Sequence, residues 1–221
     1  MKVKEFAIIG CGRFGNSLAT TLSDLGHEVI VIDKREEVIN KIAPVVTYAA
    51  VADANDEEAL RDLGISNVDT AIVAISSDFE ASIMSTITCK NLGIDNVVAK
   101  AKNDTHALIL KKVGADNVVI PERDMGEKLA HSLSSKNVVE FFNLSSEHSI
   151  LEIRAPKKWI GKSIQQLNIR AKYGLNILGI IRTDGRLNGN PGPLDEILPG
   201  DNLIVLGDVE DLALLEGMDN E

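Results

Sequence analysis

The stretch Phe6–Gly15, with the sequence FAIIGCGRFG, decides the fold of this chain. A short apolar run, typical of a buried strand, is followed at once by Gly10, Gly12 and Gly15. In a strand–turn–helix setting, the first glycine makes the turn, the second lets the backbone approach a diphosphate, and the third lets the helix pack on the strand. Unpaired N–H groups at the start of the helix then attract the phosphates. The spacing therefore predicts a dinucleotide-type binding site.

Predicted strands and helices alternate outward from this motif as far as about Asp124. The six predicted strands are Phe6–Ile9, Glu28–Asp33, Thr47–Val51, Thr70–Ile75, Val97–Ala101 and Val118–Ile120. The helices predicted between them are Ser17–Leu25, Glu36–Ile42, Glu57–Leu63, Phe79–Leu92 and His106–Val113. Such alternation implies right-handed crossovers and a parallel sheet covered on both faces. We therefore predict an α/β fold with a Rossmann-like, doubly wound parallel sheet.

A further predicted helix, Asp124–Leu133, carries an apolar stripe and is interpreted as an exit helix or a dimerisation element. Its stripe consists of Met125, Leu129 and Leu133. Beyond it the pattern is that of a small α+β domain. The elements predicted there are strands at Ser149–Arg154, Leu175–Arg182 and Asn202–Leu206 and helices at Ser163–Leu167 and Val209–Leu215. We expect a nucleotide-binding domain with its exit helix at 1–136 and a second domain at 137–221.

Composition excludes several classes of protein. A chain of 221 residues buries a large core without disulfides or a structural metal. Two cysteines are too few for a disulfide-rich scaffold or a cysteine-based zinc module. A net charge of −10 and an aromatic content of 4% argue against binding to a nucleic-acid polymer. The first apolar run is too short for a secretory signal, and no stretch approaches the ~18 apolar residues of a membrane span. We expect a soluble, cytoplasmic protein.

The residues that follow the glycine motif extend the predicted nucleotide site. Asp33 ends the second strand, and we expect it to accept hydrogen bonds from a ribose diol. The alternative is that Asp33 only caps the N-terminus of the following helix. Lys34 and Arg35 come next and are interpreted as solvated side chains. Arg13 lies within the glycine turn, from which its guanidinium can reach a terminal phosphate.

Polar residues also follow other predicted strands, at the sheet edge where open α/β folds bind ligands. They are Asp53, Ser76, Lys100 and Glu122, although any one of them is also compatible with an ordinary loop. Glu122 is the acid placed to hold a cation beside a polyphosphate or to pair with Arg123. The complete predicted site is Gly10, Gly12, Arg13, Phe14, Gly15, Asp33, Lys34, Asp53, Ala54, Ser76 and Lys100, with Glu122 at the cation.

The sequence contains little that indicates catalysis. None of the four histidines, His27, His106, His131 and His148, forms a pair with a carboxylate at suggestive spacing. Cys11 lies at a helix N-terminus, where the pKa of a thiol can fall, but it is interpreted as a small residue in a crowded turn. A small NAD-dependent oxidoreductase or redox sensor remains the alternative to a binding protein.

Several longer stretches resemble the RCK (KTN) family of cytosolic potassium-transport regulators, in particular its Ktr-type, TrkA-like subunits. They include KEFAIIGCGRFGNSLA at Lys4–Ala19, VIPERDM at Val119–Met125 and NIRAKYG at Asn168–Gly174. The resemblance covers nearly the whole chain. It implies a regulatory protein without enzymatic activity, whose N-terminal domains pair through a crossover helix and assemble into an octameric ring. Such a ring binds ATP or ADP, or NAD(H) in some members, and gates a membrane potassium-translocating subunit.

The resemblance also implies roles for individual residues. The three glycines hold the phosphates, Asp33 holds the ribose, and Arg13 contacts the γ-phosphate. Glu122 helps to hold a divalent or sodium cation beside that phosphate. In related subunits the C-terminal domain binds cyclic di-AMP at a dimer interface, and Arg170 and Asn176 match the contacts. The protein is then expected in the cytoplasm, peripheral to the membrane through its transporter partner.

Overall fold

The computed structural model describes residues 2–134, 138–145, 148–208 and 210–212. By contacts between residues, the chain divides into two compact units, Met1–Glu122 and Arg123–Glu221. The boundary predicted between residues 136 and 137 lies outside the described residues, so the assignment of the exit helix to the first domain stays a prediction.

The first unit contains a six-stranded sheet with the order β3-β2-β1-β4-β5-β6, in which every pairing is parallel. Its strands are β1 (Glu5–Ile9), β2 (Glu28–Asp33), β3 (Tyr48–Val51), β4 (Thr70–Val73), β5 (Asn96–Lys100) and β6 (Asn117–Val119). The helices are α1 (Arg13–Asp24), α2 (Glu36–Ile42), α3 (Glu57–Asp62), α4 (Phe79–Asn91) and α5 (Asp104–Lys112), with a 3-10 turn at Ile65–Asn67. A further helix, α6 (Pro121–Ser134), begins in this unit and continues past its end at Glu122. The predicted doubly wound parallel sheet is confirmed.

Helices cover both faces of this sheet because the central strands are apolar on both sides. In β1, Ala7 and Ile9 belong to one buried cluster, whereas Ile8, which points the other way, belongs to a second. All three side chains are at most 1% exposed. The strand order reverses between β1 and β4, and open α/β sheets bind ligands at such a reversal, beyond the carboxyl ends of the strands.

Two element boundaries near this edge differ from the sequence prediction. α1 begins at Arg13 rather than at Ser17, because the helix starts directly after its N-cap residue, Gly12. β4 ends at Val73 rather than at Ile75, so the segment after it is free to form the wall of a cavity. The first difference shortens the turn between β1 and α1 to three residues, and the second lengthens the connection between β4 and α4.

The second unit contains a five-stranded sheet with the order β10-β9-β11-β8-β7, in which every pairing is antiparallel. Its elements are β7 (Val138–Asn143), β8 (His148–Arg154), a 3-10 turn (Lys157–Trp159), α7 (Ile164–Leu167), α8 (Ile169–Tyr173), β9 (Asn176–Ile181), β10 (Leu187–Asn188) and β11 (Asn202–Asp208). The predicted small α+β domain is thereby confirmed. β7, α8 and β10 were not predicted, and most of the helix predicted over Val209–Leu215 lies outside the described residues.

Neither a membrane span nor a metal-binding cluster occurs in the described ranges. No helix there combines the length and the apolar character needed to cross a bilayer. No group of three or more His, Cys, Asp or Glu side chains in the same ranges could hold a metal ion. The role predicted for Glu122 at a cation therefore depends on ligands from outside this chain's described residues, such as phosphate oxygens.

Candidate nucleotide-binding site

The glycine motif forms a tight turn between β1 and α1. Gly10 has a φ of +94°, a conformation that side-chain-bearing residues rarely adopt. A Cβ atom at Gly10 would lie 2.8 Å from Cγ1 of Ile75, and one at Gly15 would collide with the carbonyl oxygen of Gly10. At Gly12, by contrast, no atom lies within 4 Å of the Cβ position. The outer glycines are therefore needed for packing, whereas Gly12 faces open space that a ligand can enter.

The N-terminus of α1 lacks the side-chain cap that α3, α4 and α5 have. Asp56, Asp78 and Asn103 accept hydrogen bonds from first-turn N–H groups of α3, α4 and α5. At α1 the N-cap is Gly12, no described side chain caps the helix, and its first turn contains no acidic residue. The first N–H groups of α1 are therefore available to an anion, which the helix dipole also attracts.

Asp33, at the end of β2, accepts hydrogen bonds from both the turn and Arg35. The carboxylate accepts the backbone N–H of Cys11 at 2.8 Å and forms a bidentate ion pair with the Arg35 guanidinium at 2.9 and 2.8 Å. Burial raises the pKa of Asp33, but the hydrogen bonds from Arg35 and from backbone N–H groups outweigh it, so the pKa lies below its ordinary value. Asp33 is therefore ionised at neutral pH. The interpretation of Arg35 as solvated was incomplete, because its guanidinium donates two hydrogen bonds to Asp33 while half of its side chain stays exposed.

A second ion pair lies where β5 and β6 end. Nζ of Lys100 contacts Oε1 of Glu122 at 2.6 Å and lies 5.5 Å from the centroid of the Phe14 ring. The Lys100 side chain is 9% exposed, whereas that of Glu122 is 69% exposed. The hydrogen bond from Lys100 is the main cause of the lowered pKa of Glu122, to which the charge of Arg13 also contributes. Lys100 and Glu122 thus neutralise each other beside the glycine turn, and the charge of Arg13 acts on the same carboxylate.

These groups line one cavity of about 590 Å³, a size typical of small-ligand sites. It includes eleven of the predicted site residues, namely Gly10, Gly12, Arg13, Phe14, Asp33, Lys34, Asp53, Ala54, Ser76, Lys100 and Glu122. Gly15 lies directly behind the turn, against Gly10. The structure thus brings the predicted nucleotide-site residues of the first unit to one place.

Sequence reasoning missed five polar residues of this cavity, namely Arg35, Asn55, Ser77, Asp78 and Ser85. Arg35 lies on its wall, as do Asp78, the N-cap of α4, and Ser85 on the same helix. The hydroxyl of Ser85 is fully buried and has no hydrogen-bond partner among the described residues. A weak signal for Ser85 was available, since α4 places Ser82, Ser85 and Thr86 on its buried side, where apolar residues would be expected.

Comparison with known proteins assigns both units to families. Residues 6–121 match the TrkA-N domain and residues 149–217 match the TrkA-C domain. "Ktr system potassium uptake protein A" of Bacillus subtilis (strain 168) is 44% identical over 216 residues, which cover 98% of this chain and 97% of that protein. "Ktr system potassium uptake protein C" of the same organism is 43% identical and covers 96% of each chain. This chain belongs to the RCK/KTN family of potassium-transport regulators.

Solved structures of RCK/KTN proteins show the same fold. The GsuK channel bound to NAD matches all of this chain with a TM-score of 0.71 at 19% identity. The isolated GsuK RCK domain matches it with a TM-score of 0.70 at 20% identity. The chain spans 40% of the first of these proteins and 48% of the second.

The two cysteines of this RCK/KTN protein are buried thiols. Burial is the largest cause of the raised pKa of Cys11, and the nearby Asp33 adds to it, although a contact from Asn16 opposes the shift. Burial thus outweighs the lowering of the thiol pKa that a helix N-terminus can cause at Cys11. Burial raises the pKa of Cys89 to about 12. Both thiols are therefore protonated at neutral pH, which supports the interpretation of Cys11 as a small residue in a crowded turn.

The residues predicted to contact cyclic di-AMP lie in the second unit. Arg170 is exposed in α8, and Asn176 begins β9 and is half-buried. Neither lines the cavity of about 720 Å³ that the second unit forms around Arg182, Arg186 and Asp201. Their role at a dimer interface stays a prediction.

Proposed function

We propose that this chain is the cytosolic gating subunit of a Ktr-type potassium uptake system and that it binds ATP and ADP in the cavity beside the glycine turn. The observation that carries the proposal is the convergence of an uncapped helix N-terminus, an ionised Asp33 and the Lys100–Glu122 pair on one cavity. NAD(H), which shares the adenosine diphosphate half, is the second ligand that this arrangement suits.

Each part of a nucleoside triphosphate has a matching group in this cavity. The N–H groups of α1 and the open space at Gly12 suit the α- and β-phosphates. Asp33 suits the ribose, Asp53 and Ala54 suit the adenosine end, and Ser76 lines the same cavity. Arg13 supplies positive charge for the γ-phosphate, and Lys100 lies near the nucleotide. Glu122 could then leave Lys100 and hold, together with phosphate oxygens, a divalent or sodium cation.

ATP and ADP differ by one phosphate, so only groups that contact this phosphate can favour one state of the protein over another. Arg13 and Glu122 are the proposed discriminating groups. The proposed consequence is that ATP and ADP stabilise different forms of a ring of eight subunits and thereby change potassium transport by the membrane partner. The Ktr relatives support this partner, because their names place them in potassium uptake systems.

No observation favours the oxidoreductase or redox-sensor alternative. Both described thiols are buried and protonated. Among the described residues that line the cavity, there is no histidine, cysteine or tyrosine to transfer a proton. Cyclic di-AMP binding through Arg170 and Asn176, and a location in the cytoplasm at the membrane partner, complete the proposal on the strength of the family resemblance.

Titration calorimetry with ATP, ADP and NADH, combined with light scattering in the presence of each nucleotide, tests the function. We expect reversible binding without turnover, and a ring-sized particle whose shape or stability differs between ATP and ADP. A monomer that binds neither nucleotide would contradict the proposal, and NADH oxidation coupled to a substrate would favour the alternative.

A further inference from the structure

The carboxylate expected to hold the ribose is fully occupied by the protein's own donors. It accepts four hydrogen bonds, from the backbone N–H groups of Cys11 and Arg35 and from Nε and Nη2 of Arg35. An ionised carboxylate offers about four lone-pair positions. A ribose hydroxyl can therefore bind Asp33 only if one of these donors leaves.

Only the Arg35 side chain is free to leave. The two backbone donors are held by the glycine turn and by the start of α2, for which Arg35 is the N-cap residue. The Arg35 side chain is 50% exposed, whereas that of Asp33 is 6% exposed. The guanidinium can therefore move into water, where it is well solvated, but the carboxylate cannot follow. The nearby charge of Glu37 also attracts Arg35.

We propose that Arg35 is a displaceable competitor of the ribose diol, so that a nucleotide gains its hydrogen bonds to Asp33 only by releasing the Arg35–Asp33 ion pair. The inference rests on the proposed nucleotide site. In the free protein, Arg35 keeps a buried carboxylate paired. In the bound protein, the two ribose hydroxyls replace the two guanidinium nitrogens of Arg35, Nε and Nη2, as donors to Asp33. Arg35 thus lowers the affinity for every ligand with an intact diol, but not for one that lacks both hydroxyls.

The test compares ADP with 2′,3′-dideoxy-ADP by calorimetry on the full chain. We expect Arg35→Ala to tighten ADP binding about fivefold, the size expected for loss of one half-exposed ion pair, and to leave the dideoxy ligand unchanged. Arg61→Ala is the matched control, because Arg61 forms a similar ion pair with Glu57 at 2.8 Å, with a side chain 58% exposed, outside the residues that line the cavity. It should change neither affinity.

Arg35→Lys provides a second variant, in which a single ammonium replaces the bidentate contact; it should tighten ADP binding by a smaller factor. ADP affinity that is unchanged in both Arg35 variants would overturn the competitor role. An equal loss of affinity for both ligands would also overturn it, because Arg35 would then contact the ligand itself. Failure of the wild-type chain to bind ADP or ATP would overturn the proposed function as well. The wild-type titration therefore distinguishes failure of the nucleotide site from failure of the Arg35 proposal alone.

Discussion

Arg13 is the residue on which discrimination between ATP and ADP is expected to depend. It is exposed on the wall of the cavity at the first position of α1, and its charge acts on Glu122. The β-phosphate can be held by backbone N–H groups of the same helix, which remain when the Arg13 side chain is removed. The third phosphate has no such backbone donors and depends on side chains.

We therefore expect Arg13→Ala to weaken ATP binding about tenfold while leaving ADP affinity nearly unchanged, since one charge-assisted contact to the γ-phosphate is lost. Titration calorimetry of both nucleotides measures this. Arg13→Lys keeps the positive charge and should lose less ATP affinity than Arg13→Ala. Equal losses for ATP and ADP would contradict the γ-phosphate role.

At the scale of elements, the strand–turn–helix unit contains two glycines with different tasks. At Gly15 an added methyl group would meet the backbone of Gly10, whereas at Gly12 it would meet no described atom. Gly12 also has a φ of −73°, which alanine adopts without strain.

Alanine at Gly15 should therefore change the stability of the fold, and alanine at Gly12 should change the affinity for nucleotide. Gly15→Ala should lower the free energy of unfolding by about 1–3 kcal/mol through overpacking. Gly12→Ala should keep wild-type stability and lose nucleotide affinity by about tenfold or more, because its methyl group occupies space next to the phosphates. Urea unfolding and calorimetry measure the two quantities. Wild-type ADP affinity in Gly12→Ala would contradict the close approach of a phosphate.

The contact between α4 and α5 contains a buried histidine. His106 is 0% exposed, packs 4.8 Å from the Phe79 ring, and accepts the backbone N–H of Lys102 through Nδ1 at 3.3 Å. Nε2 is buried without a partner among the described residues. Burial, with a smaller contribution from the charge of Lys102, lowers the pKa of His106 below 6.5.

Since the unfolded chain takes up a proton on His106 at a higher pH than the folded chain, the free energy of unfolding should fall as the pH falls through about 6.5. His106→Asn retains an acceptor and does not titrate, so its stability should depend less on pH in this range. Urea unfolding between about pH 8 and pH 5.5 compares the two proteins. The same pH dependence in both would show that His106 is not the responsible group.

At the scale of the whole molecule, the apolar stripe on α6 is the feature that most directly suggests assembly. Met125, Leu129 and Leu133 are 63%, 55% and 76% exposed in the isolated chain. They recur every four residues on one side of the helix, as expected of a surface that packs against another helix. The RCK/KTN resemblance supports a second copy of this chain as the partner.

We expect the double variant Met125→Glu/Leu129→Glu to lower the particle mass measured by light scattering, because two charges would be buried at the interface. Leu108→Glu is the matched control, since Leu108 is 59% exposed on α5. It should leave the mass unchanged. A wild-type mass in the double variant would exclude the α6 stripe from the dimer interface.

The sequence alone determined the topology of the first unit and the position of its ligand cavity. Both depend on local patterns: apolar runs that allow burial on both faces, and glycines at spacings that only a strand–turn–helix unit requires. The strand ends carrying Asp33, Asp53, Ser76 and Lys100 meet at one edge because parallel strands all end there. β7 was missed because VVEFFN does not alternate clearly, and β10 because it has only two residues.

Only the tertiary structure decided how the charged side chains pair within the cavity. Arg35 turns back onto Asp33, two residues before it, and Lys100 reaches Glu122 across the ends of β5 and β6. Nothing in the sequence distinguishes these conformations from solvated ones, because long charged side chains adopt many rotamers of similar energy. The choice depends on burial: Asp33 and Lys100 are each only 7% exposed, so each charge requires a partner.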